Sequence, residues 1–106
     1  MSNDLDYIAV ASLDQLPPKK TLCVQAGGKD ILLCNTPQGI FAVDNLCTHA
    51  AEKLETGRLK GCKILCPLHG AAFDVRSGEA LSRPAVIGLA TYPVKLDGED
   101  ILVEVS

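Results

Sequence analysis

At 106 residues, 47% hydrophobic and 22% charged, the chain has the size and balance of one small globular domain with one or two modest cores. A formal net charge of −3 speaks against a phosphate-tracking surface, so nucleic acid is not an expected partner. No apolar run approaches the roughly 18 residues of a membrane span; Ala85-Val86-Ile87 stops at Gly88, and the polar start Met1-Ser2-Asn3-Asp4 does not read as a secretory leader, so a cytoplasmic protein without membrane contact is expected.

In chain order, residues 6–13 alternate loosely through Tyr7, Ile8 and Val10 and predict a first strand, which Leu16-Pro17-Pro18 ends. Residues 21–26 and 30–35 are short apolar runs with Gly27-Gly28 between them, a hairpin signal. Two registers fit: a turn at Gly28-Lys29 sets Cys23 opposite Cys34, and a turn at Gly27-Gly28 sets it opposite Leu32. In either register two thiols are expected rather than a bridge, because a reducing cytoplasm favours buried cysteines acting as small hydrophobes. Thr36-Pro37-Gln38-Gly39 predicts the next turn, and residues 40–44 a strand that completes a three-strand meander.

From residue 45 to 54 the chain reads as loop, with at most a helical turn at residues 50–52. Residues 57–59 and 63–65 can pair around Lys60-Gly61. Residues 71–75 and a turn at Arg76-Ser77-Gly78 return the chain toward the base, and Ser82-Arg83-Pro84 forms a further loop. Asp97-Gly98 suits a type I′ turn that pairs Val94 with Ile101 and Tyr92 with Val103, all on one face, with Lys95, Asp100 and Glu104 on the other. Asp97, Glu99, Asp100 and Glu104 read as the solvated face of that hairpin. The fold class expected is all-β: an antiparallel β-sandwich or open barrel (residues 1–44 and 85–106) carrying a smaller subdomain at residues 45–84, in one domain.

The chemistry lies between residues 47 and 70. Cys47-Thr48-His49 is followed, sixteen residues on, by Cys66-Pro67-Leu68-His69. The chain has two histidines, and each follows a cysteine within three residues. Two loops, each offering one thiolate and one imidazole, supply four metal ligands. Structural zinc accepts such a set, although it more often takes paired cysteines on one side and paired histidines on the other. A [2Fe–2S] centre with two cysteines on one iron and two histidines on the other accepts it as well.

These residues closely resemble Rieske-type ferredoxins. Cys47-Thr48-His49 with Leu54 and Gly57 resembles the first cluster-binding loop, and Cys66-Pro67-Leu68-His69-Gly70 the second. Phe73-Asp74, Ser77-Gly78, Leu81 and Pro84 continue the family pattern. The resemblance implies one [2Fe–2S] cluster, with Cys47 and Cys66 on the inner iron and His49 and His69 on the outer. It further implies Pro84 stiffening a covering loop. Gly70, directly after a ligand, reads as allowing close backbone approach with an N–H toward cluster sulfur, against a plain turn glycine, and Phe73 reads as core packing.

Replacing two thiolates by neutral imidazoles leaves the oxidised centre uncharged instead of doubly negative. The added electron is then easier to accept, which moves the potential from about −400 mV to a window of about −150 to +300 mV. Respiratory Rieske proteins carry a disulfide between the ligand loops, where this chain has Glu52 and Leu68. That difference predicts the low end of the window. The resemblance implies a one-electron shuttle, not an enzyme, between a flavoprotein ferredoxin reductase drawing on NAD(P)H and a terminal Rieske non-haem iron oxygenase of aromatic hydrocarbon catabolism. A monomer is expected. The alternatives are a small Rieske subunit of another oxidoreductase, such as nitrite reductase, and a structural zinc module.

Overall fold

The computed structural model describes residues 7–48, 52–67, 70–82 and 87–105. Among these residues eleven strands follow in order: β1 (Tyr7–Ser12), β2 (Thr21–Ala26), β3 (Lys29–Thr36), β4 (Gly39–Asp44), β5 (Arg58–Lys60), β6 (Lys63–Leu65), β7 (Ala72–Asp74), β8 (Ala80–Ser82), β9 (Thr91–Tyr92), β10 (Val94–Asp97) and β11 (Asp100–Glu104). Helix among the described residues is confined to single 3₁₀ turns at Leu13–Gln15 and Leu54–Thr56. The strands form three antiparallel sheets, ordered β1-β11-β10, β2-β3-β4-β9 and β5-β6-β7-β8. The all-β expectation holds.

Strand β3 explains how three sheets pack. Its residues Ile31, Leu32, Leu33 and Cys34 are all fully buried, where a half-buried strand would alternate. Ile31 and Leu33 join Ala42, Ile101 and Val103 in one core; Leu32 and Cys34 join Val43, Ile64, Phe73 and Val75 in another. The β2-β3-β4 meander is therefore a middle layer with a core on each face. The apolar run in the sequence is the signature of that two-sided burial.

The hairpins settle the registers. Gly27 and Gly28 take left-handed φ values of 55° and 75° and form the β2–β3 turn, so Cys23 lies opposite Leu32. Cys23 and Cys34 remain separate thiols. At β5–β6 the turn is Gly61-Cys62, one residue beyond the expected Lys60-Gly61, and Lys60 pairs with Lys63. At β10–β11 the expected Asp97-Gly98 turn is corrected to Gly98-Glu99. Of these two residues only Gly98 has positive φ (60°), which fits a II′ turn better than I′. Val94 then pairs with Val103 and Leu96 with Ile101. Tyr92 does not pair with Val103; it sits opposite Ala42 in the middle sheet. The chain crosses from that sheet to the outer one at Pro93, between β9 and β10.

Candidate metal centre

The first ligand loop stands on a short stem. Asn45, the residue after β4, accepts a hydrogen bond at its carbonyl from Leu54 N (2.9 Å), Leu46 bridges to Lys53, and Cys47 N–H donates to Glu52 O (2.9 Å). Leu54 is fully buried and starts the 3₁₀ turn that leads to Gly57. A Cβ at Gly57 would lie 1.9 Å from Leu65 O, so the exit of this loop presses directly on the strand preceding Cys66.

The second loop is closed in the same way. Cys66 follows β6, and its N–H donates to Ala71 O (2.7 Å) at the start of β7. In both loops the cysteine amide closes onto the carbonyl five residues later. Gly70, within the second loop, has φ of 68°, a left-handed conformation for which glycine is suited.

Cys47 and Cys66 are 3% and 2% exposed and belong to one apolar cluster with Leu54, Ile64, Ala71 and Phe73. The fold thus brings the two sequence-predicted cysteines to one dry place. His49, His69, Leu68 and Pro84 lie outside the described residues. Phe73, fully buried, is a core residue as expected.

The trailing motif residues brace the second loop's sheet. Arg76 binds both Asp74 carboxylate oxygens, through Nε (3.0 Å) and Nη2 (2.8 Å), and its guanidinium holds that carboxyl below the usual range. Gly78 N–H donates to Asp74 O (2.6 Å), and Leu89 N–H to Gly78 O (2.7 Å). A Cβ at Gly78 would meet Leu89 O at 2.1 Å. These contacts dock residues 87–89 beside the cluster sheet, and Thr48 Oγ1 reaches Ile87 O (2.5 Å) from the first loop. Asp44 N–H donates to Ala90 O (2.9 Å), and Tyr92 Oη to Asp44 Oδ1 (2.8 Å).

One group of residues beneath the first loop is not apparent in the sequence. Asp30, on β3, forms an ion pair with Lys53 and accepts hydrogen bonds from Cys23 Sγ (3.0 Å), Gln25 Nε2 (2.8 Å) and, more weakly, Asn45 Nδ2 (3.4 and 3.5 Å). The hydrogen bonds from Lys53 and then Cys23 hold the Asp30 carboxyl below its ordinary range. Burial, reinforced by that carboxylate, pushes the Cys23 thiol up to about 12. The only hint in sequence is an acid at the head of an otherwise apolar strand.

The donor set fits a two-cysteine, two-histidine centre: the two sulfurs stand at the necks of matched loops in one apolar cluster, and each loop carries its histidine beyond the neck. That geometry alone accepts zinc or a [2Fe–2S] cluster. Comparison with known proteins separates them. Residues 6–93 match the family of the Rieske [2Fe-2S] domain. The ferredoxin component of a naphthalene 1,2-dioxygenase system from Pseudomonas aeruginosa is 39% identical over 94% of this chain and 96% of its own length. The chain belongs to the Rieske [2Fe–2S] ferredoxins.

Its cofactor is accordingly a [2Fe–2S] cluster, and it is an electron-transfer protein rather than a catalytic enzyme. Among solved structures, the ferredoxin resembles the ferredoxin of carbazole 1,9a-dioxygenase from Nocardioides aromaticivorans IC177, with a TM-score of 0.88, 35% identity and 92% and 95% of the two chains covered. A complex of reduced oxygenase and oxidized ferredoxin in carbazole 1,9a-dioxygenase matches with a TM-score of 0.87 and 26% identity, covering 92% of each chain. No helix among the described residues is long and apolar enough to cross a membrane.

Proposed function

We propose that this ferredoxin carries single electrons from an NAD(P)H-dependent flavoprotein reductase to a terminal Rieske non-haem iron oxygenase in aromatic hydrocarbon catabolism. The observation that carries the reading is the pair of matched loop necks, which buries Cys47 and Cys66 in one cluster and leaves one histidine beyond each neck. Kinship to a naphthalene dioxygenase ferredoxin component, and to a ferredoxin solved with its oxygenase, supports the partner class.

In this reading Cys47 and Cys66 hold the inner iron and His49 and His69 the outer. When bound, the cluster supplies a centre that takes up and releases one electron. The protein's own residues do the rest. The apolar cluster of Leu54, Ile64 and Phe73 keeps water from the cysteine side, and the cysteine amides are committed to loop closure. Electrons would pass to the partner through the histidine-ligated side of the centre. The protein works as a cytoplasmic monomer, a single domain whose residues 45–84 form the cluster-binding part, with a potential at the low end of the Rieske window.

The test is a visible and EPR spectrum of freshly purified protein before and after dithionite, with iron and sulfide assays. About two irons and two sulfides per chain, and a reduced signal of the mixed histidine-cysteine type, are expected. Reduction should follow on adding NADH with a flavoprotein reductase, and reoxidation on adding oxidised oxygenase. A colourless, zinc-bearing protein after anaerobic reconstitution would sink the electron-carrier reading. A normal cluster that no ring-hydroxylating oxygenase reoxidises would instead favour a subunit of another oxidoreductase.

A further inference from the structure

We propose that Asp30 is the positioning residue of the first ligand loop: one carboxylate on β3 grips both feet of the stem that carries Cys47. The inference rests on the reading of Cys47 and His49 as cluster ligands. At the incoming foot, Asp30 O accepts Asn45 N–H (3.0 Å) and the carboxylate meets Asn45 Nδ2 at 3.4 and 3.5 Å. At the outgoing foot, the same carboxylate pairs with the ammonium of Lys53, the residue bridged to Leu46. Cys47 lies two residues past the first foot, and Glu52, which accepts its N–H, lies one before the second.

An exposed ion pair by itself contributes little, since two mobile side chains in water gain almost nothing by meeting. This pair differs in where it is anchored. The Asp30 side chain is 23% exposed and is held from the sheet side by Cys23 Sγ (3.0 Å) and Gln25 Nε2 (2.8 Å), so it offers a fixed post rather than a swinging partner.

Asn45 reinforces the argument. Its side chain is fully buried, and its amide nitrogen lies between Asp30 and Glu55 Oε1 (3.0 Å). Its Oδ1 is buried and has no partner among the described residues. Flipping the amide would set oxygen against two carboxylates, so the orientation is dictated by them even though an acceptor is left over. A buried polar group held this way fixes the entry angle of the loop at the residue before Leu46.

The test uses the purified holoprotein and compares Asp30→Asn, Asp30→Glu, Lys53→Met and the double variant Asp30→Asn/Lys53→Met. Thr36→Val serves as control, because it removes hydrogen bonds inside the β3–β4 turn, at the far end of β3 from Asp30. Three quantities are read: the rate of cluster bleaching by chelator, the reduced-state EPR line shape, and the melting temperature. Asp30→Asn should speed bleaching by about tenfold or more, the range seen when residues behind metal ligands are changed, and broaden the EPR lines. Lys53→Met, which leaves the sheet intact, should move both in the same direction by less. The double variant should be no worse than Asp30→Asn, and Asp30→Glu should recover part of the loss.

Wild-type bleaching and EPR in Asp30→Asn would overturn the proposal. So would bleaching that follows the fall in melting temperature equally in Asp30→Asn and Thr36→Val, since that is general destabilisation. If Cys47→Ser keeps a native cluster signal, the ligand reading fails instead, and the two failures are distinguishable.

Discussion

A methyl group at Gly57 would lie 1.9 Å from Leu65 O, nearer than any real side chain approaches a backbone oxygen. Gly57→Ala should therefore push the first loop's exit away from β6. It is expected to cost about 3 kcal/mol, read by denaturant unfolding, because the obstacle is backbone and not the end of a flexible side chain. Gly39→Ala, with nothing within 4 Å of its added carbon, should show no such clash and only the penalty of its positive φ. At this scale the sequence was informative where chemistry is local. Cys47, His49, Cys66 and His69 stand out because their spacing is itself the signal. Asp30 does not, because its partners Asn45 and Lys53 are 15 and 23 residues away and only the folded sheet brings them together.

Among the elements, alternation in the last hairpin put Val94, Ile101 and Val103 on one face, as observed, and left the register open. In three hairpins, moving the turn by one residue shifts pairing by two positions, which keeps every side chain on its own face. Cys23 opposite Cys34 or Leu32, and Val94 opposite Ile101 or Val103, are indistinguishable by hydrophobic pattern. The turn residues decided: two glycines with positive φ at residues 27 and 28, and one at residue 98. Gly98→Val should accordingly destabilise the β10–β11 hairpin by about 1–2 kcal/mol, the cost of forcing a side chain into left-handed φ. The measurement is a thermal melt, and the reduced EPR signal should stay native because this turn lies in the outer sheet, away from the ligand loops. The crossing at Pro93 was hidden for a different reason: nothing in a seven-residue run reveals that its two halves belong to different sheets.

At the scale of the whole molecule, stability has two pH limbs. Burial holds the Cys34 thiol and, together with hydrogen-bonded carboxylates, the Cys23 thiol and the Tyr92 phenol at about 12. The folded chain keeps these protons where the unfolded chain releases them, above about 8.5 for cysteine and about 10 for tyrosine. Their contribution is full below those values and falls as pH rises toward 12. Asp30 and Asp74 act oppositely: their folded carboxyls titrate below the unfolded value of about 4, so their contribution is full above it and is lost as pH falls further. Melting temperature followed by circular dichroism should show a plateau through neutrality with a decline on each side. Cys34→Ala should flatten the alkaline limb. An alkaline limb unchanged in that variant would contradict the assignment.

The pairing of β1 with β11 has a consequence in time. Residues 7–12 meet residues 100–104, so this sheet closes only after most of the chain has been brought together, while the β2–β3–β4 meander and the β5–β8 hairpins need only near neighbours. Long loops close late because their entropy must be met before contacts reward it. During synthesis the residues of the meander and of both ligand necks emerge before those of β11, so the face of the middle sheet that β11 covers is the last to find its partner. Pulse-labelled hydrogen exchange during refolding should protect amides of β3 and β4 before those of β1 and β11; simultaneous protection would mean that the three layers condense in one step.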